Sequence, residues 1–156
     1  SAQFAYSDSA KGVIASAYFW GYTLSNLASG VICTQVSPKL VLTAGVILWS
    51  AFTVLTPVAA GVSMPWLLGC RALMGAAEGA CLPTIQQLLV NWVPARERSK
   101  ALALTTSGIT VGTVGALYSA PLIVGAFGWP SVFVLFGVTG FLWCAAWVPT
   151  AADAPQ

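Results

Sequence analysis

The sequence predicts an all-α protein, a multi-pass bundle of transmembrane helices. Of its 156 residues, 58% are hydrophobic and 6% charged, against about 25% charged in an average soluble domain. Six basic and four acidic side chains cannot cover the surface of a soluble fold this size. Mean hydropathy is +0.84. The apolar residues also come in blocks of about 20, the length that crosses the hydrocarbon core of a bilayer.

Five blocks can be marked: residues 12–36, 40–62, 65–92, 101–126 and 131–148. Each is expected to be helical, because a span in lipid must satisfy its backbone groups internally. Along the first, Ala15, Tyr18, Tyr22, Ser25 and Ser29 recur at helical spacing and make a face of small, aromatic and hydroxyl residues. Tyr22 can offer its hydroxyl to an anion or to a neighbouring helix. The second block opens after SPK at 37–39 and closes at GVSMP, 61–65. The third carries Arg71 and Glu78, and then Pro83, whose missing N–H predicts a kink. Gly108 and Gly112 mark the fourth, with Pro121 further on; the fifth follows the turn FGWP, 127–130. Such short separators make neighbouring helices antiparallel. Trp66, Trp92, Trp129 and Trp147 fall near block ends, where indoles prefer the headgroup region, whereas Trp20 and Trp49 lie deeper and are expected to pack.

Charge orients the bundle. Lys39 lies in one separator and Arg96, Glu97, Arg98 and Lys100 in another on the same side, while the separators on the opposite side are uncharged. The positive-inside rule puts the charged loops in the cytoplasm or its equivalent. The N-terminal tail with Asp8 and Lys11 is then outside and the C-terminal tail with Asp153 inside. An odd number of helices beginning outside leads us to expect a further helix before Ser1.

Several function classes are disfavoured. A net charge of +2 with no large basic cluster offers no nucleic-acid surface. There is no histidine, so the commonest general base and metal ligand is missing. Cys33, Cys70, Cys81 and Cys144 sit in apolar segments without a CxxC pair and read as small buried residues. No nucleophile with a base and no carboxylate pair is visible, so neither an enzyme, a metal site nor an organic cofactor is expected.

Arg71 and Glu78 carry the chemistry. Between Lys39 and Arg96 they are the only ionisable acid and base, and a charge at mid-bilayer costs at least ~2.5–3.5 kcal/mol. Seven residues apart, they lie within about 20° on one helix face and about 10.5 Å apart along the axis. That is too far for the usual i,i+4 pair. Each should face a watery cavity or a partner on another helix: Arg71 as an anion ligand, Glu78 as a carboxylate coupled to a proton or cation. The competing structural reading is a buried pair that only fixes helix packing. Gly75 and Gly79 form GxxxG beside them, as do Gly108 and Gly112 two segments later, and such glycines let helix backbones approach closely.

YFWGYTLSNLASG at 18–30, RALMGAAEGACLP at 71–83, NWVPARERSKALAL at 91–104 and FGWPSVFVLFG at 127–137 resemble the anion:cation symporter family of the major facilitator superfamily. That group includes sodium/phosphate cotransporters, vesicular glutamate transporters and plant plastid phosphate and anion transporters. The resemblance covers nearly the whole chain and implies helices two to six of twelve, five helices of an N-terminal half. It implies substrate binding by Arg71, proton coupling by Glu78, and Tyr22 lining the substrate cavity. Ala15 stands where vesicular glutamate members have a titratable His, which favours phosphate or organic-anion carriers. The loop GVICTQVSPK departs from the superfamily pattern G-x-x-x-D-R-x-G-G-K: Thr34 replaces the Asp, Gln35 the Arg, and Ser37-Pro38 the glycines, leaving Gly30 and Lys39.

The expectation is therefore a secondary active transporter of inorganic phosphate or a small organic anion, coupled to H+ or Na+. Its partners would be that anion, the bilayer of a plastid or plasma membrane, and the remaining helices of a full-length protein. The alternatives are a non-transporting helical scaffold and a truncated, inactive homologue.

Overall fold

The computed structural model describes residues 7–152, the side chain of Thr34 excepted, so Asp153 lies outside the described residues. Those residues form an all-helical bundle: α1 (Asp8–Gln35), α2 (Pro38–Val62), α3 (Met64–Gly79), α4 (Cys81–Trp92), α5 (Arg98–Phe127) and α6 (Trp129–Thr150). The five blocks reappear, each within a few residues of its expected limits, with the third divided into α3 and α4. Among the described residues three helices are long and apolar enough to cross a membrane: α2, α5 and α6. α1 is long but more polar, and α3 and α4, at 16 and 12 residues, make one crossing only together.

Local chemistry explains the boundaries. Ser7 caps α1, its hydroxyl accepting from the Ala10 N–H. The departing loop residues Ser37-Pro38 start α2: the Ser37 hydroxyl accepts from the Leu40 N–H at 3.2 Å and proline stands in the first turn. That is where its absent N–H and fixed φ suit a helix. Gly128, at φ 84°, makes the tight α5–α6 turn in the left-handed region that favours glycine. The division between α3 and α4 falls at Ala80, three residues before Pro83. Proline leaves the carbonyl four residues earlier, that of Gly79, without its helical donor. Asn26 supplies one from α1, its Nδ2 donating to the Gly79 oxygen at 3.2 Å. By contrast α5 runs on through Pro121, and α2 through Pro57.

Packing is uneven. A core of Leu42, Val46, Cys81, Leu88 and Cys144, flanked by Trp49, Ile85 and Trp147, joins α2, α4 and α6. α6 approaches α2 through Gly137 and Gly140: a Cβ on Gly137 would meet Val54 and the Ser50 carbonyl, and one on Gly140 the Ser50 hydroxyl. α5 has no buried residue and touches only α6 and α4. Trp20, expected to pack, is instead 69% exposed; depth along a helix does not say which way a side chain faces. Trp49 does pack. All four cysteines are buried and free.

The helix ends sort as the alternation requires. Trp92 Nε1 at the end of α4 donates to the Ala152 carbonyl just beyond α6, and Leu42 near the start of α2 lines the same crevice as Trp92 and Thr150. Lys39, Arg96, Glu97 and Arg98 therefore share one end of the bundle. Arg98 closes α4 from the next helix, Nε donating to the Val93 carbonyl at 3.1 Å and Nη2 to Val90 at 3.0 Å. A cation suits the negative end of the helix dipole.

Candidate functional site

The site lies where α1 crosses α3, and glycines set the distance of that crossing. A Cβ on Gly75 would strike the Tyr18 carbonyl, one on Gly79 the Tyr22 carbonyl, and one on Gly21 the Ala72 carbonyl. Advancing four residues on α3 matches four on α1, so the two helices run parallel and in fixed register. That register sets the heights of the polar side chains. Tyr18 lies level with Gly75, one turn from Glu78, and its Oη donates to Glu78 Oε2 at 2.7 Å. This is a well-formed O–H···O bond.

Arg71 and Glu78 are both half-buried and line one cavity of about 450 Å³ with Lys11, Ala15, Tyr18 and Met74. They are not paired with each other. Among the described residues the ion pair within 4 Å is Lys11–Asp8, at 2.9 Å on the exposed first turn of α1. Among the described residues Arg71 has only soft partners. Its guanidinium carbon lies 5.4 Å from the centre of the Phe133 ring on α6, its Nη1 is 3.8 Å from Met74 Sδ, and its buried Nε has no hydrogen-bond partner. A thioether is a weak acceptor and a ring face satisfies charge but not N–H geometry. A guanidinium this poorly met is open to a planar or tetrahedral oxyanion, whose oxygens accept bidentate hydrogen bonds.

Tyr22 stands one turn below Tyr18, their rings 6.1 Å apart and tilted at 30°; the cavity is lined by Tyr18 rather than Tyr22. Gly108 and Gly112 lie far from this site, and a Cβ on either would meet nothing within 4 Å. Lys39, Arg96, Glu97 and Arg98 stand at the bundle end described above and contribute nothing to the cavity. Two site residues escape a reading of the sequence. Tyr18 shares the face already recognised on α1, but its partner depends on the α1–α3 register. Asn26 could have been sought, since Pro83 leaves a known carbonyl in need of a donor.

A larger crevice of about 860 Å³ between α2, α4 and α6 is lined by Leu42, Trp49, Leu88, Phe136 and Trp143 and holds no charged side chain. Its polar groups are neutral, among them the hydroxyls of Thr105, Thr139 and Thr150 and the Trp147 Nε1. The charged side chains Arg71, Glu78 and Lys11 line the smaller cavity.

Comparison with known proteins identifies the family. Over residues 1–156 the chain matches the family described as Major Facilitator Superfamily. It is 44% identical over 155 residues to the sodium-dependent phosphate transport protein 1, chloroplastic, of Arabidopsis thaliana, covering 99% of this chain and 30% of that protein. Identity is also 44% over 156 residues with the probable anion transporter 4, chloroplastic, of Oryza sativa subsp. japonica, covering all of this chain and 26% of the relative. The ascorbate transporter, chloroplastic, of Arabidopsis thaliana is 40% identical over the full chain, which spans 29% of it. The chain thus spans under a third of the length of these relatives.

Proposed function

We propose that this chain, which belongs to the Major Facilitator Superfamily, is part of the N-terminal half of a secondary active transporter for inorganic phosphate or a small organic anion. Its five crossings would be joined by the remaining helices of a longer protein, and the two halves would rock about a midplane site to give alternating access. The observation that carries this reading is the state of Arg71: a half-buried cation with, among the described residues, no carboxylate partner and an orphaned Nε, in a cavity it shares with Glu78. Intramembrane charge left unpaired is retained for a ligand rather than for stability.

In this reading Arg71 is the positive pole that takes the anion. Glu78 carries the coupling ion, H+ or Na+, about two turns further along the same face of α3. Tyr22, behind Tyr18, is assigned to the substrate path once the second half closes over the cavity. Lys39, Arg96, Glu97 and Arg98 mark the cytoplasmic or, in a plastid, stromal end. The names of the relatives support phosphate, organic anions and a plastid membrane.

The test is Arg71→Ala in the full-length protein, reconstituted in liposomes with labelled phosphate or ascorbate. Uptake should fall to background while membrane insertion and expression stay normal. Undiminished uptake would remove Arg71 from the site.

A further inference from the structure

Arg71 and Glu78 pose a problem that the geometry also answers. They carry opposite charges, lie on one face of α3 and line one cavity. Away from bulk water, such charges attract strongly, and the two side chains, if both extend towards each other, can span the roughly two turns, about 10.5 Å, between them. If they met, the guanidinium would be neutralised by its own protein and an anion would have to displace the carboxylate first. They do not meet.

We propose that Tyr18 is a positioning residue that holds the Glu78 carboxylate away from Arg71 and so keeps the guanidinium free for the incoming anion. The inference rests on the reading of Arg71 as the anion ligand. Glu78 Oε2 is engaged by the Tyr18 hydroxyl at 2.7 Å. The tyrosine itself is held: its ring meets Phe19 edge-on at 5.3 Å and Tyr22 at 6.1 Å, and its carbonyl abuts Gly75 where no Cβ would fit. The strong hydrogen bond is thus on Glu78, while Arg71 rests on a ring face and a thioether. Remove the first and only their seven-residue spacing, which two extended side chains can bridge, keeps the two charges apart. Lys11, the other cation lining the cavity, is engaged by Asp8 and does not compete for Glu78.

Counterflow of labelled phosphate, with labelled ascorbate in parallel, tests this in the full-length protein because exchange needs anion binding but no ion gradient. Tyr18→Phe keeps the ring and deletes the hydroxyl. The concentration for half-maximal exchange should rise about tenfold, the scale of a competing half-buried ion pair, with the maximal rate little changed. Adding Glu78→Gln to Tyr18→Phe removes the competing charge and should bring the half-saturation back to that of Glu78→Gln alone. A tyrosine that merely packs the crossing would show no such rescue. The proposal is overturned if Tyr18→Phe leaves half-saturation unchanged, or if the rise persists in the double variant. A wild-type protein that exchanges neither anion overturns the anion reading itself, and this inference with it.

Discussion

α3 and α5 carry the same sequence device, a pair of glycines four residues apart, and the structure treats them oppositely. Gly75 and Gly79 press against the Tyr18 and Tyr22 carbonyls of α1, and the polar side chains of the site are set by that contact. Gly108 and Gly112 face open space on a helix with no buried residue. GxxxG makes close approach possible; it does not supply the helix that approaches. On α3 the supply is Gly21 of α1, a third glycine on the facing helix, which lets both backbones come in at once. α6 reaches the same end without the pattern, through Gly137 and Gly140 three residues apart on one face.

That contrast can be broken by substitution. The largest effect is expected for Gly75→Ala, whose Cβ would be driven into backbone that has no rotamer to escape by. Overpacking of this kind costs about 1–3 kcal/mol or more, and the separation of α1 from α3 would also part Tyr18 from Glu78. Thermal unfolding of the purified protein should drop by several degrees, with anion exchange lost. A smaller loss, about 1 kcal/mol for one neutral hydrogen bond, is expected for Asn26→Ala, which leaves the Gly79 carbonyl at the Pro83 break without its donor. The smallest belongs to Gly108→Ala in this 156-residue chain, where the melting temperature should hold or rise slightly, since alanine is the better helix former. A Gly108→Ala loss equal to that of Gly75→Ala would erase the contrast.

The spans and their limits were legible because hydropathy and turn residues report directly on what lipid tolerates. The kink was legible too, from Pro83, and its place follows once the freed carbonyl rather than the proline is taken as the weak point. Other features turn on which neighbour a helix face meets, and a single sequence does not contain that. Trp20 lies as deep as a packing residue yet projects from the bundle. Tyr18 was visible on the face of α1 that also holds Tyr22, but only the parallel register with α3 brings it to Glu78. Their spacing ruled out the usual i,i+4 Arg71–Glu78 pair but did not show the Tyr18 bond on Glu78; the soft contacts that occupy Arg71 come from Met74 and from Phe133, two crossings away in the chain.

The central claim is that anion binding and ion coupling belong to different side chains of one α3 face. Glu78→Gln tests it most directly, with two assays on the same proteoliposomes: labelled-anion uptake driven by a proton or sodium gradient, and gradient-free exchange. Driven uptake should be lost and exchange retained, because Arg71 still takes the anion while the ion has nowhere to bind. Driven uptake at the wild-type level, or loss of exchange together with it in a protein that remains folded, would contradict the account.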